Sequence, residues 1–269
     1  MAPPPGHEIA AAAGGAADAS PPSPPPLVAE HLGKRYGDRV AVADVSCAVQ
    51  RGQVFGFLGP NGAGKSTTIR MLVGLLRPSA GRVLLAGHDL ATARDRALAR
   101  MGCIVESPDF YGYLTGRENL EHFARMIDGA ALARVGELGD LVRLGERLDD
   151  RVGTYSLGMR QRLGIAQALL GDPDLVVLDE PANGLDPAGI HELRNLLRRL
   201  ADQRGLAVFV SSHLLGEVEK VCDRIAIVHR GRVLAAGSLA ELTGGGPAGA
   251  ARSLESVFLE ITGGETVGG

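Results

Sequence analysis

The amino-acid sequence predicts an α/β fold built on a mostly parallel sheet. Short apolar runs with the length of strands alternate with stretches whose apolar residues recur at helical spacing, which is typical of a parallel sheet covered by helices on both faces. The chain has 269 residues, of which 45% are apolar and 22% are charged, enough for one ordinary domain with a smaller lobe and tails. Its 28 basic and 31 acidic residues leave a net charge of −3, which argues against a protein whose main role is to coat nucleic acid.

Composition divides the chain into three parts. Residues 1–26 are rich in Ala, Gly and Pro. They cannot bury enough apolar area to offset the entropy of ordering, so they predict a disordered tail. The folded domain is predicted over 27–243, with a helical subdomain at about 106–170. Residues 244–269 are predicted to form a glycine-rich spacer and a short terminal helix.

Periodicity and helix breakers define the elements in order. Residues 40–49 mix β-branched and small side chains, and the apolar run 53–58 stops at Gly59, so both predict strands. Residues 64–76 carry apolar side chains at helical spacing and are followed by Pro78, which predicts a helix. By the same criteria, further strands are predicted over 82–85, 175–178, 206–210 and 225–228, and further helices over 117–127, 131–144, 159–170 and 253–262.

The cysteines and the apolar runs bear on the compartment. Cys47, Cys103 and Cys222 are odd in number and far apart, so we expect three buried thiols in a reducing compartment rather than disulfides or a metal site. No run approaches the roughly 20 apolar residues that cross a bilayer. The first basic residue is Lys34, which does not fit a signal peptide. We therefore expect a chain that is soluble by itself and reaches a membrane only through a partner.

The strongest motif is a glycine-rich loop between a predicted strand and a predicted helix. It matches GxxxxGK[ST] and consists of Gly59, Pro60, Asn61, Gly62, Ala63, Gly64, Lys65, Ser66 and Thr67. Such a loop, a P-loop, points successive backbone N–H groups at anionic oxygens, and the helix start adds free amides and a positive dipole end. Lys65 would bridge the outer phosphates, and the Ser66 hydroxyl would ligate Mg²⁺. The loop predicts binding of a nucleoside triphosphate.

Two acids, Asp179 and Glu180, directly follow the apolar run 175–178. In a parallel sheet they would lie at the carboxyl edge, where the phosphates bind. Asp179 is therefore predicted to hold Mg²⁺, and Glu180 to point toward an attacking water. The alternative is an acidic turn that caps the next helix.

A third motif is the turn formed by Ser156, Leu157, Gly158 and Met159, which opens a predicted helix. A helix N-terminus with a hydroxyl and free amides can bind an anion. The alternative is that Ser156 is an ordinary N-cap.

The order of these motifs indicates a family. A P-loop, then a serine–glycine turn, then an apolar strand ending in Asp-Glu resembles the ATP-binding subunit of an ABC transporter, over about residues 27–243. The resemblance implies the ABC ATPase fold, a P-loop NTPase core sheet with an antiparallel β portion and a helical subdomain. It also implies that Tyr36 stacks on adenine, that Asp186 belongs to the D-loop and that His213 is the switch histidine.

Two positions depart from the family pattern. The family signature is Leu-Ser-Gly-Gly-Gln, whereas this chain keeps only Ser156 and Gly158 of it, the two positions that would contact a terminal phosphate. Where the family usually has a glutamine at a strand end, this chain has Glu106, which resembles a subgroup that exports antibiotics and antimicrobial peptides, including bacitracin-type and lantibiotic-immunity systems. The Glu106 carboxylate is predicted to ligate Mg²⁺ and to link the nucleotide state to a membrane partner. The alternative is a solvated strand end.

The resemblance further implies a reaction that needs two copies. The signature of one subunit covers the P-loop of another, so ATP joins two subunits head to tail, here most simply as a homodimer. Glu180 would be the general base or would polarise the attacking water. His213 would contact the γ-phosphate and hold Glu180 and the water in register, and Lys65, Ser66 and Asp179 would stabilise charge together with Mg²⁺. The subunit would hydrolyse ATP at the cytoplasmic face of the cell membrane to drive a separate permease, an exporter.

Two other functions stay open at this level. One is a soluble ABC-type ATPase acting on ribosomes or DNA, against which a single uninterrupted cassette argues. The other is a P-loop kinase, against which the signature turn and D-loop argue. Arg194, Arg198, Arg199 and Arg204 lie on a predicted helix that also carries regularly spaced leucines. This pattern is typical of an amphipathic helix whose arginines face solvent, so no nucleic-acid partner is expected.

Overall fold

A ten-stranded mixed sheet organises the fold in the computed structural model, which describes residues 23–244 and 252–262. The strands are β1 Leu27–Tyr36, β2 Arg39–Val49, β3 Val54–Leu58, β4 Ala80–Leu85, β5 His88–Asp89, β6 Met101–Ile104, β7 Leu175–Leu178, β8 Ala207–Ser212, β9 Arg224–His229 and β10 Arg232–Ser238. Their order in the sheet is β5-β4-β1-β2-β10-β9-β3-β8-β7-β6. Residues 1–22 of the predicted tail and most of the predicted spacer lie outside the described residues.

The sheet is parallel around β3 and antiparallel toward β5. β3 pairs in parallel with β8 and β9, and β7 with β6 and β8, whereas β1, β2, β4 and β5 form antiparallel pairs. This mixture confirms the predicted fold class. Every residue of β3, β7 and β8 is buried, as expected for apolar strands covered on both faces. Because these three strands are parallel, their carboxyl ends meet at one edge of the sheet.

Ten α-helices cover the sheet in the described ranges. They are α1 Lys65–Leu72, α2 Arg94–Leu98, α3 Gly116–Ala124, α4 Gly129–Ala133, α5 Val135–Leu141, α6 Leu157–Ala168, α7 Pro187–Arg204, α8 Leu215–Val218, α9 Leu239–Thr243 and α10 Leu254–Ile261, with 3-10 turns at Gly145–Asp149 and Val152–Thr154. The prediction of one helix over 131–144 is wrong. Arg134 donates its N–H to the carbonyl of Ala131 at 3.2 Å, which closes a tighter turn and separates α4 from α5.

Two large apolar clusters lie on opposite faces of the sheet. Val208 and Val210 of β8 belong to one cluster, and Ala207 and Phe209 belong to the other, because successive strand side chains point to opposite faces. Phe209 packs on two phenylalanines of β3 with ring centroids 5.3 and 5.7 Å apart. Fully burying one such side chain contributes about 1.5–3 kcal/mol. These contacts fix β3, and so the loop that follows it, against β8.

The arginines of α7 bind neighbouring elements, so the prediction of a merely solvent-exposed face needs correction. Arg199 donates to the carbonyl of Leu141 at the end of α5 at 3.1 Å, and Arg204 forms an ion pair with Glu137. Guanidinium groups can satisfy a carbonyl that ends a helix. These arginines therefore tie α5 to α7, whose leucines belong to the core.

The cysteines only partly match the prediction of three buried thiols. Cys103 is exposed and Cys47 and Cys222 are half-buried. Cys103 lies on β6, an edge strand that has β7 on one side only. Burial raises the pKa of the Cys47 thiol to about 12, so at neutral pH that cysteine is an unreactive thiol.

Candidate functional site

The P-loop connects the end of β3 at Leu58 to the start of α1 at Lys65. Gly64 caps α1 with φ of +101°, a conformation that L side chains rarely adopt. A Cβ at Gly64 would lie 2.8 Å from the carbonyl oxygen of Ala41 on β2. The loop is also tied to the β9–β10 turn, because Gly231 donates its N–H to the carbonyl of Ala63 at 2.8 Å. Glycine at position 64 thus allows the curled backbone and its close contact with β2.

Lys65 lies inside the loop with 6% of its surface exposed. Its Nζ donates to the Gly59 carbonyl at 2.7 Å and lies 3.1 Å from Glu180 Oε1. A buried ammonium requires such partners, because burial removes its hydration. The lysine is therefore held against the backbone of the P-loop, within reach of the carboxylate of Glu180, which follows β7.

Glu180 lies between two basic side chains. Its Oε1 faces Lys65, and its Oε2 accepts from His213 Nδ1 at 2.8 Å and from the His213 backbone N–H at 3.3 Å. Glu180 has φ of +49°, a left-handed conformation that costs a non-glycine residue about 1–2 kcal/mol. The structure thus brings together Lys65, Glu180 and His213, which follow the three parallel strands β3, β7 and β8.

Asp179 is buried beside them and contacts a residue that the sequence analysis did not assign. The Ser211 hydroxyl donates to Asp179 Oδ1 at 2.6 Å and accepts from the Glu180 N–H at 2.8 Å. Asp179 also donates its own N–H to the Ile104 carbonyl at 2.9 Å. The only sequence signal for Ser211 is a polar residue near the end of an apolar strand, just before His213.

A cleft of about 430 Å³ opens above these residues. Its lining includes predicted site residues, namely Pro60, Asn61, Gly62, Gly64, Lys65, Ser66, Thr67 and Glu180. It also includes residues that the sequence did not predict as part of the site, namely Arg39, Val40, Ala41, Asn183 and Arg230. Arg39 to Ala41 come from β2 and Arg230 comes from the β9–β10 turn. No local pattern in the sequence shows that these segments flank the P-loop, since their position depends on the strand order.

Three predicted site residues lie elsewhere on the described surface. Tyr36, 50% exposed at the end of β1, has Lys34 Nζ 5.3 Å from its ring centroid and does not line the cleft. Glu106 has φ of +68° and forms an ion pair with Arg70 of α1. Asp186 caps α7 and accepts from the Gly189 N–H at 2.9 Å.

The Ser156 turn begins α6. Ser156 Oγ accepts from the Met159 N–H at 3.2 Å, so the hydroxyl is an N-cap as well as a candidate anion ligand. Leu157 is 45% exposed, and no residue from 156 to 159 lines the cleft of the same chain. A Cβ at Gly184 would lie 3.0 Å from Leu157 Cδ2. The turn therefore packs beside the predicted D-loop.

Known proteins share this arrangement. The sequence pattern of the family described as ABC transporter matches residues 42–183, from β2 through the P-loop to the acids after β7. The chain belongs to the ABC transporter ATP-binding family. It is accordingly an ATP-binding subunit that hydrolyses ATP. This membership excludes the alternative of a P-loop kinase.

Individual relatives agree with the family match. The ABC transporter ATP-binding protein YhcH of Bacillus subtilis (strain 168) is 51% identical over 208 residues, which cover 77% of this chain and 68% of that protein. The bacitracin transport ATP-binding protein BcrA of Bacillus licheniformis is 46% identical over 203 residues, 76% of this chain and 66% of BcrA. A solved structure of an ATP-binding subunit of an ABC transporter has a TM-score of 0.75 at 33% identity and covers 87% of this chain and 98% of that chain.

No helix between residues 23 and 244 or between 252 and 262 has both the length and the apolar character needed to cross a bilayer.

Proposed function

We propose that this ABC subunit hydrolyses ATP through Glu180, a carboxylate held between Lys65 and His213, in a site completed by a second copy. The observation that carries the proposal is the pair of contacts on Glu180, 3.1 Å from Lys65 Nζ and 2.8 Å from His213 Nδ1. Lys65 and Glu180 both line the cleft. A general base must be fixed in position to accept a proton, and such a base accelerates reactions about 10²–10⁴-fold.

The two oxygens of Glu180 have different tasks in this mechanism. The phosphates of ATP carry more charge than a carboxylate, so Lys65 turns toward them and releases Oε1. His213 continues to hold Oε2. The freed Oε1 accepts a proton from water as the water oxygen bonds to the γ-phosphorus and the bond to the ADP oxygen breaks. Loop amides and Lys65 stabilise the charge that develops on the phosphoryl oxygens.

The residues near the phosphate site fit a magnesium ion. Ser211 occupies Oδ1 of the buried Asp179, and within the described residues Oδ2 has no hydrogen bond. Ser66 lies in the first turn of α1, and Mg²⁺ prefers such oxygen donors. When bound with ATP, Mg²⁺ would neutralise phosphate charge. Glu106 would join it only by leaving Arg70.

A second copy supplies the remaining anion site. Ser156 and Gly158 open a 12-residue helix whose first residues are exposed or half-buried and lie outside their own chain's cleft. A terminal phosphate in the cleft of one subunit can accept hydrogen bonds from this turn only if the turn belongs to another subunit. ATP binding then joins the subunits and hydrolysis separates them.

The membrane partner contacts an exposed apolar surface around α3. The Tyr111 and Tyr113 rings lie 5.8 Å apart between centroids in a tilted arrangement, and Tyr113 is 70% exposed. Met126 and Ile127, just after α3, are also exposed. Exposed apolar groups of this kind are typical of protein–protein contacts. We assign this surface to contact with a permease at the cytoplasmic face of the membrane. By analogy with the bacitracin transport protein, we propose that the transporter exports an antibiotic or an antimicrobial peptide.

The test is a Glu180→Gln variant, with Glu146→Gln on the surface as the matched control. The Glu180 variant should bind ATP, lose at least about a hundredfold in turnover and elute as a dimer in ATP, measured by phosphate release and by light scattering. The control should behave as wild type. Turnover near the wild-type value, or a monomer that hydrolyses ATP at a dilution-independent rate, would contradict the proposal.

A further inference from the structure

We propose that Ser211 is a positioning residue that sets the two site carboxylates in register, a role beyond the P-loop, signature and switch residues. The inference rests on the proposed roles of Asp179 and Glu180. Its basis is one hydroxyl that contacts both acids, by donating to Asp179 Oδ1 at 2.6 Å and accepting from the Glu180 N–H at 2.8 Å. Ser211 is fully buried, so water cannot replace either hydrogen bond.

The strand register explains why a side chain is needed here. The β7–β8 ladder ends with Leu178 opposite Val210. The chain then turns at Glu180, where φ of +49° directs the backbone away from ladder geometry. Without Ser211, the Glu180 N–H would have no acceptor at the end of the strand. The Ser211 hydroxyl oxygen accepts this hydrogen bond. Buried N–H groups without a partner are costly, so the hydroxyl stabilises the strained turn.

The same hydroxyl restricts Asp179. A hydroxyl has one hydrogen to donate, and here it is given to Oδ1. Among the described residues no other side chain donates to this carboxylate, so its rotation depends on Ser211. With Oδ1 engaged, Oδ2 remains as the oxygen that can serve a cation. Ser211 thereby determines which oxygen of Asp179 is available to a cation. Through its hydrogen bond to the Glu180 N–H, it also fixes the backbone position from which the Glu180 side chain extends.

Ser211→Ala removes both hydrogen bonds, and Ser211→Thr keeps the hydroxyl. Ser46→Ala is a matched control, because Ser46 Oγ also accepts an N–H from a neighbouring strand, that of His31, but on β1–β2. The probes are ATP in EDTA and ATP with Mg²⁺, titrated by calorimetry, together with steady-state hydrolysis. A hydrogen bond to a charged group corresponds to roughly a tenfold to hundredfold effect.

For Ser211→Ala we expect ATP affinity in EDTA within about twofold of wild type, an affinity for ATP with Mg²⁺ lowered about tenfold, and kcat lowered at least tenfold. Ser211→Thr should recover most of both losses, and Ser46→Ala should match wild type. The inference is overturned if Ser211→Ala binds and hydrolyses as wild type, if its affinity falls equally with and without Mg²⁺, or if Thr restores neither loss.

Asp179→Asn separates this inference from the proposed function. If Asp179→Asn leaves Mg²⁺-dependent ATP binding unchanged, the assigned role of Asp179 fails and the present inference fails with it. If Asp179→Asn impairs that binding while Ser211→Ala does not, only the role of Ser211 is lost. Thermal unfolding of each variant shows whether the fold is retained.

Discussion

Replacing His213 by alanine tests the central contact of the site. The variant loses the 2.8 Å hydrogen bond from Nδ1 to Glu180 Oε2 but keeps the backbone N–H, which lies 3.3 Å from the same oxygen. A hydrogen bond to a charged group contributes about 1.5–3 kcal/mol, which corresponds to about a 10- to 150-fold change in rate. We therefore expect kcat for ATP hydrolysis to fall within this range rather than to vanish. The ATP affinity should change little, because His213 does not line the cleft.

His213→Asn distinguishes this explanation from a general loss of structure. The asparagine amide can donate from nearly the same position as Nδ1, so kcat should recover part of the loss. His88→Ala, at an exposed position on β5, serves as the control. Phosphate release at saturating ATP and a separate titration of ATP binding measure the two quantities. Turnover of His213→Ala within twofold of wild type, or equal losses in turnover and affinity, would refute the reasoning.

Three further outcomes follow from the packing. Gly64→Ala should abolish measurable ATP binding and lower the unfolding free energy by at least about 1 kcal/mol, measured by titration and urea unfolding, because φ is +101° and a Cβ would meet Ala41. Phe258→Ala in α10 should lower that free energy by about 3–5 kcal/mol if α10 unfolds together with the core, since Phe258 is fully buried. Asp174→Asn should cost about 1.5–3 kcal/mol at pH 7, because hydrogen bonding to Arg100 lowers the pKa of Asp174. A carboxyl group with a lowered pKa stabilises the fold at pH values above its ordinary pKa of 3.8, and this stabilisation is lost as pH falls through the lowered pKa. The difference in unfolding free energy between wild type and Asp174→Asn should therefore shrink below pH 3.8, measured by acid unfolding.

The parts of the site that are contiguous in sequence could be predicted. The P-loop needs one strand, one turn and one helix start, and all its determinants lie within nine residues. Asp179 and Glu180 could be placed at a sheet edge because an apolar strand ends directly before them. Local sequence was sufficient in both cases, since the geometry depends on neighbours along the chain.

Features that depend on strand order could not be predicted. Arg39 and Arg230 line the cleft because β2 and β10 lie on the same side of β3, and no periodicity encodes that order. Ser211 acts on Asp179 only because β8 is the neighbour of β7. The break between α4 and α5 at Arg134 was missed for a related reason. A tertiary contact, the ion pair from Arg134 to Asp172, adds to a local sequence whose apolar spacing alone favours one helix.

Two of the predicted site acids are among the seven described non-glycine residues with positive φ. Glu180 and Glu106 both have positive φ, at +49° and +68°, although glutamate favours ordinary helical conformations. Such strain persists only where surrounding contacts determine the conformation. At Glu180 those contacts come from Lys65, His213 and Ser211, that is, from β8 and the P-loop. A shift of β8 against β7 would therefore release the turn and move the carboxylate, so the position of the proposed base depends on the same strand pair that holds Asp179.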